Sequence, residues 1–185
     1  HFSASFAPAA VTARLVALEA GIKVNVVPGK AKAVVAGVDL DTLKATAKEV
    51  EAETGISFSF EQTEEGMGIT AQGEGAHAST PQEGKNALTG LLVYLTRLPL
   101  TDCPQMQAVR SLVKLFPHGD TRGEAVGIAM EDELSGALTL AFSMLRVGED
   151  SLEGMFDSRC PICGNKDNVL RVVKAAMAAE GILLQ

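Results

Sequence analysis

Residues 73–87 constrain the local fold of this chain more than any other segment. They read GEGAHASTPQEGKNA and set the histidine His77 among glycines and small residues. The segment predicts a helix start, because Thr80 is a favoured N-cap, Pro81 suits the first helical position and Glu83 completes a capping box. A short strand pattern precedes the segment and leucines at helical spacing follow it. We therefore expect His77 to lie at a strand-to-helix corner where small neighbours let a ligand approach.

Short strand patterns and amphipathic helix patterns alternate along the whole chain. Strands are predicted at about 12–19, 22–27, 31–38, 56–62, 67–72, 125–131, 136–147 and 151–158. Helices are predicted at about 41–53, 81–97, 104–116 and 166–179. The first two strands are expected to form a hairpin. Together the patterns predict an α+β fold, in which a mainly antiparallel sheet carries its helices on one face.

A weak internal repeat adds to this prediction. Residues 30–56 and residues 151–182 each run from a strand through a helix to an acidic residue and a Gly-Ile pair. Chance recurrence is the alternative, because strand–helix–glycine successions are common. Read as a repeat, the pattern predicts a ferredoxin-like, duplicated β-α-β sandwich with two halves at about 1–62 and 63–185.

Composition excludes several classes of partner. The net charge of −7 argues against nucleic acid and anionic membranes, which attract clustered lysine and arginine. Aromatic residues make up only 4% of the chain and tryptophan is absent, which weakens a base-stacking role. No apolar run reaches the roughly 18 residues of a membrane span. Three cysteines, an odd number, fit free thiols in a reducing cytoplasm better than a disulfide framework. We expect a cytoplasmic protein without nucleic-acid or membrane partners.

The string CPICGN places Cys160 and Cys163 at the spacing of metal ligands. A structural zinc site needs four ligands, so Cys103, His77 and His118 would have to converge on this pair. We expect two ordinary thiols in a turn instead, and no metal site in this chain.

Three short segments carry a resemblance to a known family. The pattern G-x-x-H-A-S-x-P-x-x-G-x-N-A lies within residues 73–87, N-V-V-P-G-K-A-K-A occupies residues 25–33, and D-S-R-C-P occupies residues 157–161. Together they resemble the lid, or dimerisation-type, domain of the di-zinc aminoacylase and carboxypeptidase metallopeptidases. The order of the first two segments is similar to that of the dipeptidase V-type, Xaa-His dipeptidase-like branch, whose lid is duplicated within one chain.

The resemblance implies roles for three residues. His77 would stabilise the oxyanion of the reaction, Asn25 would bind the substrate or help to hold that oxyanion, and Arg159 would bind the substrate's terminal carboxylate through its planar fork. Each has a plainer alternative: a surface histidine, an Asx-turn residue, and a surface salt bridge to Asp157 or Glu153.

The resemblance also implies what lies outside this chain. Residues 1–185 would be one lid domain excised from a longer hydrolase, whose missing catalytic domain binds two zinc ions. The strings His118-Gly119-Asp120 and Glu64-Glu65 imitate that domain's metal and base motifs. Both sit in polar stretches between predicted elements and are expected to be turns. The partners would be the protein's own catalytic domain and a small peptide or acyl-amino-acid substrate. A duplicated lid favours a monomeric parent.

Two function classes remain open. In the first, the chain is the lid of a zinc-dependent dipeptidase or related amidohydrolase, and it is inactive when isolated. In the second, it is a non-catalytic α+β module that binds an amino acid or regulates another protein. A third and smaller alternative is a zinc-binding structural module built on CPICG. Coding sequence on both sides with the H-x-D and Glu-Glu metal motifs would favour the first class over the second.

Overall fold

One large antiparallel sheet organises the chain. The computed structural model describes all residues, His1–Gln185. The strands are β1 (Phe2–Ser5), β2 (Arg14–Ala20), β3 (Val26–Val27), β4 (Lys30–Ala36), β5 (Ser57–Gln62), β6 (Met67–Gln72), β7 (Ala76–His77), β8 (Glu131–Asp132), β9 (Gly136–Ala137), β10 (Thr139–Val147), β11 (Ser151–Arg159) and β12 (Leu183–Leu184). Eight of them form the main sheet in the order β12-β1-β11-β10-β2-β4-β6-β5, while β3 pairs with β7 and β8 with β9. The predicted α+β class with a mainly antiparallel sheet is confirmed.

Four helices accompany the sheet. They are α1 (Leu40–Thr54), α2 (Ala87–Arg97), α3 (Pro104–Leu115) and α4 (Arg171–Ala179). Helix α1 begins where the Asp39 carboxylate accepts a hydrogen bond from the Thr42 N–H at 2.9 Å. It ends at Gly55, whose φ of +72° is the left-handed conformation that glycine adopts without strain. The local sequence thus sets both ends of α1, close to the predicted bounds of 41–53.

The helices bury one face of the sheet in a single core. Thirty-nine buried hydrophobic residues form one contiguous cluster that includes side chains from all four helices and from every strand of the main sheet except the edge strand β5, whose Phe58 and Phe60 pack against it. Helix α2 contributes to this core and packs closely against Ile56 at Gly90, where an added Cβ would lie 2.5 Å from Ile56 Cγ1. On β4, Ala31 and Ala33 enter the core while the alternating Lys32 is exposed, so the other face of the sheet is not covered by helices there.

The structure corrects the predicted first hairpin. Strand β2 pairs with β4 and β10, and residues 22–27 do not pair with it. Only Val26–Val27 is extended within that stretch, and it pairs with Ala76–His77 instead. The reason is nonlocal, because both edges of β2 are already paired, one with β4 and one with β10. Residues 22–27 therefore have no free edge of β2 to pair with.

Other predicted bounds also shift. A short 3-10 turn occupies Pro81–Glu83, and α2 itself begins after the N-cap Asn86, so Thr80 is not the helix cap. Thr80 Oγ1 still donates to the Glu83 carboxylate at 3.2 Å, but it accepts no backbone N–H. Asn86 takes the cap because its carboxamide oxygen accepts the N–H groups of Leu88 and Thr89.

Two further segments differ from the prediction near the other end of the sheet. The strand expected at 125–131 is mostly turn, and only Glu131–Asp132 is extended. The helix expected at 166–179 begins with one π-helical turn, Lys166–Leu170, before α4. The proposed division into halves at about residue 62 stays a prediction. None of the helices is long and apolar enough to cross a membrane.

Candidate functional site

A two-stranded ribbon joins two of the three predicted site residues. Val26 of β3 lies opposite His77 of β7, and Val27 lies opposite Ala76. The ladder continues beyond the strands, because the Ala78 N–H donates to the Asn25 carbonyl at 2.9 Å. Asn25 and His77 are therefore neighbours across one ribbon, although they are far apart in the sequence.

The ribbon is packed on the sheet near strand β10. Val27, Ala78 and Ala141 form a small buried cluster separate from the main core. Leu140 and Phe142 on either side of Ala141 belong to the main core. Because successive side chains of a strand point to opposite faces, Ala141 points away from the main core, and its contact with Val27 and Ala78 ties the ribbon to β10.

A hydrogen bond fixes the start of α2 to the same part of the sheet. The Asn86 carboxamide donates through Nδ2 to the Phe142 carbonyl at 2.9 Å while its oxygen caps the helix. The chain between His77 and α2 is thus held at both ends, by the ribbon and by Asn86.

The His77 ring is exposed but ordered by local hydrogen bonds. Its Nδ1 lies 2.7 Å from Ser79 Oγ and accepts a hydrogen bond from the Ser79 N–H at 3.0 Å. Its Nε2 makes no hydrogen bond within the chain. The ring therefore keeps one nitrogen available for a ligand while the other is held by its own turn.

Asn25 is also exposed, and its carboxamide makes no hydrogen bond within the chain. The alternative interpretation as an Asx-turn residue needs a bond from this side chain to nearby backbone, and the structure contains none. Only the main chain of Asn25 is engaged, through its carbonyl. A carboxamide offers both a donor and an acceptor, so this free group can contact either end of an amide substrate.

Arg159 stands at the end of β11, on the same face of the sheet as Ala141. Asp157 lies opposite Ala141 in the ladder, and Arg159 is two residues further along, opposite Thr139. Side chains two residues apart on a strand share a face. The structure thus places Arg159 on the sheet face of Ala141, the residue that contacts the ribbon.

The predicted salt bridge of Arg159 exists but uses only part of its guanidinium. Nε lies 3.3 Å from Asp157 Oδ1, and the arginine side chain is 48% exposed while that of Asp157 is 16% exposed. No other hydrogen bond or ion pair engages the guanidinium, so both Nη groups are free. Asp157 therefore orients the fork and leaves its outer edge available for a carboxylate.

The CPICGN segment forms a loop against the β8–β9 turn. Asp132 accepts the N–H groups of Leu134, Ser135 and Cys163, together with the Ser135 hydroxyl. Hydrogen bonds from the Ser135 backbone and hydroxyl lower the pKa of Asp132 to about 2. Desolvation, followed by the charge of Asp132, raises the pKa of the Cys163 thiol. A raised pKa disfavours the thiolate that metal binding requires.

No metal site assembles elsewhere in the chain. No three histidine, cysteine or acidic side chains lie close enough together to hold a metal ion. His118 instead contacts Thr89 Oγ1 through Nδ1 at 2.8 Å. Burial lowers the pKa of His118, and a hydrogen bond with the Thr54 backbone opposes that shift. Its neighbours Pro117, Gly119 and Asp120 form a turn. The zinc ions that the resemblance implies do not fit this chain's own residues.

We expect the purified chain to retain no stoichiometric zinc. Cys160 and Cys163 are exposed free thiols, Cys103 is buried elsewhere in the core, and no further ligand converges on them. Elemental analysis after mild dialysis measures the zinc content. One retained equivalent that is lost in Cys160→Ser would contradict this expectation and support the zinc-ribbon alternative. Cys103→Ser is the matched control, because it removes a thiol outside the loop.

Two supporting residues were missed by sequence reasoning. Ser79 entered only as a small neighbour of His77, and Asp157 only as a competing salt-bridge partner. A hydroxyl two residues after a histidine, and a carboxylate two residues before an arginine on a strand, are the sequence signals that point to them. Both supports are local, so both were in principle readable from the sequence.

Comparison with known proteins finds two dipeptidases that are similar to this chain. The chain is 34% identical over 126 residues to the Beta-Ala-Xaa dipeptidase of Lactobacillus delbrueckii subsp. lactis, a match that covers 68% of this chain and 26% of that protein. It is 31% identical over 135 residues to the putative dipeptidase YtjP of Bacillus subtilis (strain 168), covering 73% of this chain and 29% of that protein. No family model matches the chain.

The matches cover most of this chain but less than a third of either relative. The chain therefore corresponds to one part of each dipeptidase. Over about two thirds to three quarters of its length, this protein is related to the dipeptidases.

Proposed function

We propose that this chain is the lid domain of a zinc-dependent dipeptidase or related amidohydrolase. In this role it binds a dipeptide or an N-acyl amino acid and stabilises the transition state of amide hydrolysis. The metal ligands and the general base would come from a catalytic domain outside this chain. The chain itself contributes His77, Asn25 and Arg159.

The ribbon geometry is the observation that carries the proposal. Hydrolysis of an amide places negative charge on the former carbonyl oxygen, and a fixed donor aimed at that oxygen lowers the barrier by about 3 kcal/mol. His77 is exposed, has its Nε2 free and stands on a ribbon anchored to β10. Such a donor needs little reorganisation at the moment of reaction, which is what makes it effective.

Arg159 and Asn25 supply recognition beside that donor. The free Nη groups of Arg159 match the two oxygens of a substrate carboxylate, and Asp157 holds the guanidinium in place from behind. Asn25 lies opposite Ala78, one position from the Val26–His77 pair of the ribbon, and its carboxamide is unengaged. The arrangement favours a small amide substrate that ends in a free carboxylate.

We expect the isolated chain to fold and to be catalytically inactive. Its core is one contiguous cluster of 39 buried residues, which supports independent folding, while no metal site assembles in it. Circular dichroism and a dispersed NMR spectrum test folding. Dipeptide hydrolysis assays with added zinc, cobalt or manganese test activity.

The full-length parent enzyme, assayed under the same conditions, is the control for this experiment. Turnover by the folded chain at a rate comparable to the parent would contradict the assignment as a lid. An unfolded chain would instead show that the domain depends on the rest of the protein.

A further inference from the structure

We infer that Ser79 is a positioning residue for His77: its backbone N–H and its hydroxyl hold the imidazole in the tautomer that carries the proton on Nε2. This inference rests on the proposed function for its catalytic consequence. Its structural content stands on the hydrogen bonds of the turn alone. Nδ1 of His77 lies 3.0 Å from the Ser79 nitrogen and 2.7 Å from its Oγ.

The backbone bond decides the tautomer. A peptide N–H can only donate, so the Nδ1 that it contacts must act as an acceptor. A neutral imidazole with an acceptor at Nδ1 carries its proton at Nε2. The Ser79 hydroxyl can rotate to donate or accept, but with the N–H already aimed at Nδ1 it also acts as a donor. Both groups therefore favour the same tautomer.

The turn holds the Ser79 N–H in place independently of the ring. The Thr80 N–H donates to the His77 carbonyl at 3.0 Å and closes the turn. Ala78, which lies between His77 and Ser79, is fully buried against Val27 and Ala141. The donor is therefore part of the fixed main chain, and the ring adjusts to it.

The tautomer determines what His77 presents to a substrate. With the proton on Nε2, the free edge of the ring is a hydrogen-bond donor, which an oxyanion attracts. With the proton on Nδ1, the same edge would present a lone pair, which an oxyanion repels. The turn thus prepares the donor before any substrate arrives.

NMR on the isolated chain tests the structural part directly. Long-range ¹H–¹⁵N spectra distinguish a protonated from an unprotonated ring nitrogen, and the chain has only three histidines to assign. His77→Gln identifies the His77 signals by their loss. At a pH where the ring is neutral, we expect Nε2 protonated and Nδ1 unprotonated. A spectrum with the proton on Nδ1, or an even mixture of tautomers, would overturn the inference.

Kinetics on the parent enzyme test the catalytic part. Ser79→Ala removes one neutral hydrogen bond to the ring but keeps the backbone N–H, so we expect kcat to fall about 3- to 10-fold with little change in KM. Ser79→Thr retains the hydroxyl and should stay within about twofold of the native enzyme. A residue that acts only through His77 has no further effect once that ring is gone, so Ser79→Ala should change kcat less than about twofold in a His77→Ala background.

The outcomes separate the two proposals. An equal loss from Ser79→Ala in both backgrounds would overturn the positioning role, because the serine would then act without the histidine. A His77→Ala enzyme with native kcat would instead overturn the proposed function, while the NMR result would still decide the tautomer. A Ser79→Thr enzyme as impaired as Ser79→Ala would also count against the hydroxyl's contribution.

Discussion

Replacing His77 with alanine in the parent enzyme is expected to lower kcat by about 100- to 1,000-fold and to leave KM nearly unchanged. That range is typical for the loss of one oxyanion donor. A group that acts on the transition state and not on the bound substrate affects turnover without affecting ground-state binding. Steady-state kinetics with a saturating dipeptide measure both parameters.

The domain should remain folded in this variant. The His77 side chain is exposed and belongs to neither hydrophobic cluster, and substitutions of this kind usually change stability by less than about 0.5 kcal/mol. His1→Ala is a matched control, because it removes another exposed histidine ring, which lies outside the ribbon and beside Glu153. A near-native kcat for His77→Ala would show that His77 is an ordinary surface histidine and does not stabilise the oxyanion.

Replacing Arg159 with alanine is expected to raise KM about 10- to 100-fold for substrates with a free terminal carboxylate. Hydrogen bonds between charged groups contribute about 1.5–3 kcal/mol, which corresponds to this range. For the matching amides, which lack the carboxylate charge, we expect less than about a threefold change. The ratio of the two effects, measured by steady-state kinetics, isolates the carboxylate contact.

The chain offers a close control for Arg159. Arg146 is another exposed arginine on the sheet, 67% exposed and 3.2 Å from Glu19, and it lies on β10 at the end away from Thr139. Arg146→Ala should leave both substrates unaffected. Arg159→Lys keeps the charge but loses the fork, so it should recover only part of the affinity. Equal effects of Arg159→Ala on acids and amides would show that the residue acts through the Asp157 ion pair alone.

The sequence predicted local structure well where the signal was local. Helix α1 and strand β6 appear within one or two residues of their expected bounds, and Gly55 ends the helix as its position indicated. Periodic apolar residues and caps act over a few positions, and such signals survive in most tertiary contexts. The three short motifs likewise identified His77, Asn25 and Arg159 as the residues to examine. The relatives support the relationship to dipeptidases that these motifs suggested, while the roles of the three residues stay predictions.

The start of α2 shows where local reasoning fails. Thr80, Pro81 and Glu83 satisfy every local rule for a helix start, yet α2 begins only after Asn86. Asn86 caps the helix and also donates to the Phe142 carbonyl, a contact across 56 positions of sequence. No local pattern contains that second bond, and the helix starts at Ala87 instead of residue 81, nearly two turns later.

By itself, then, the sequence determined which residues are candidates for the site and the antiparallel α+β class. Only the tertiary structure decided that Val26–Val27 leaves β2 to pair with Ala76–His77, which makes Asn25 a neighbour of His77. It also decided that Arg159 shares a face of the sheet with Ala141, which contacts the ribbon. The reason is that the pairing of a strand, and the face to which each of its side chains points, depend on its register with a distant segment. The apolar pattern of one strand does not specify which segment that is.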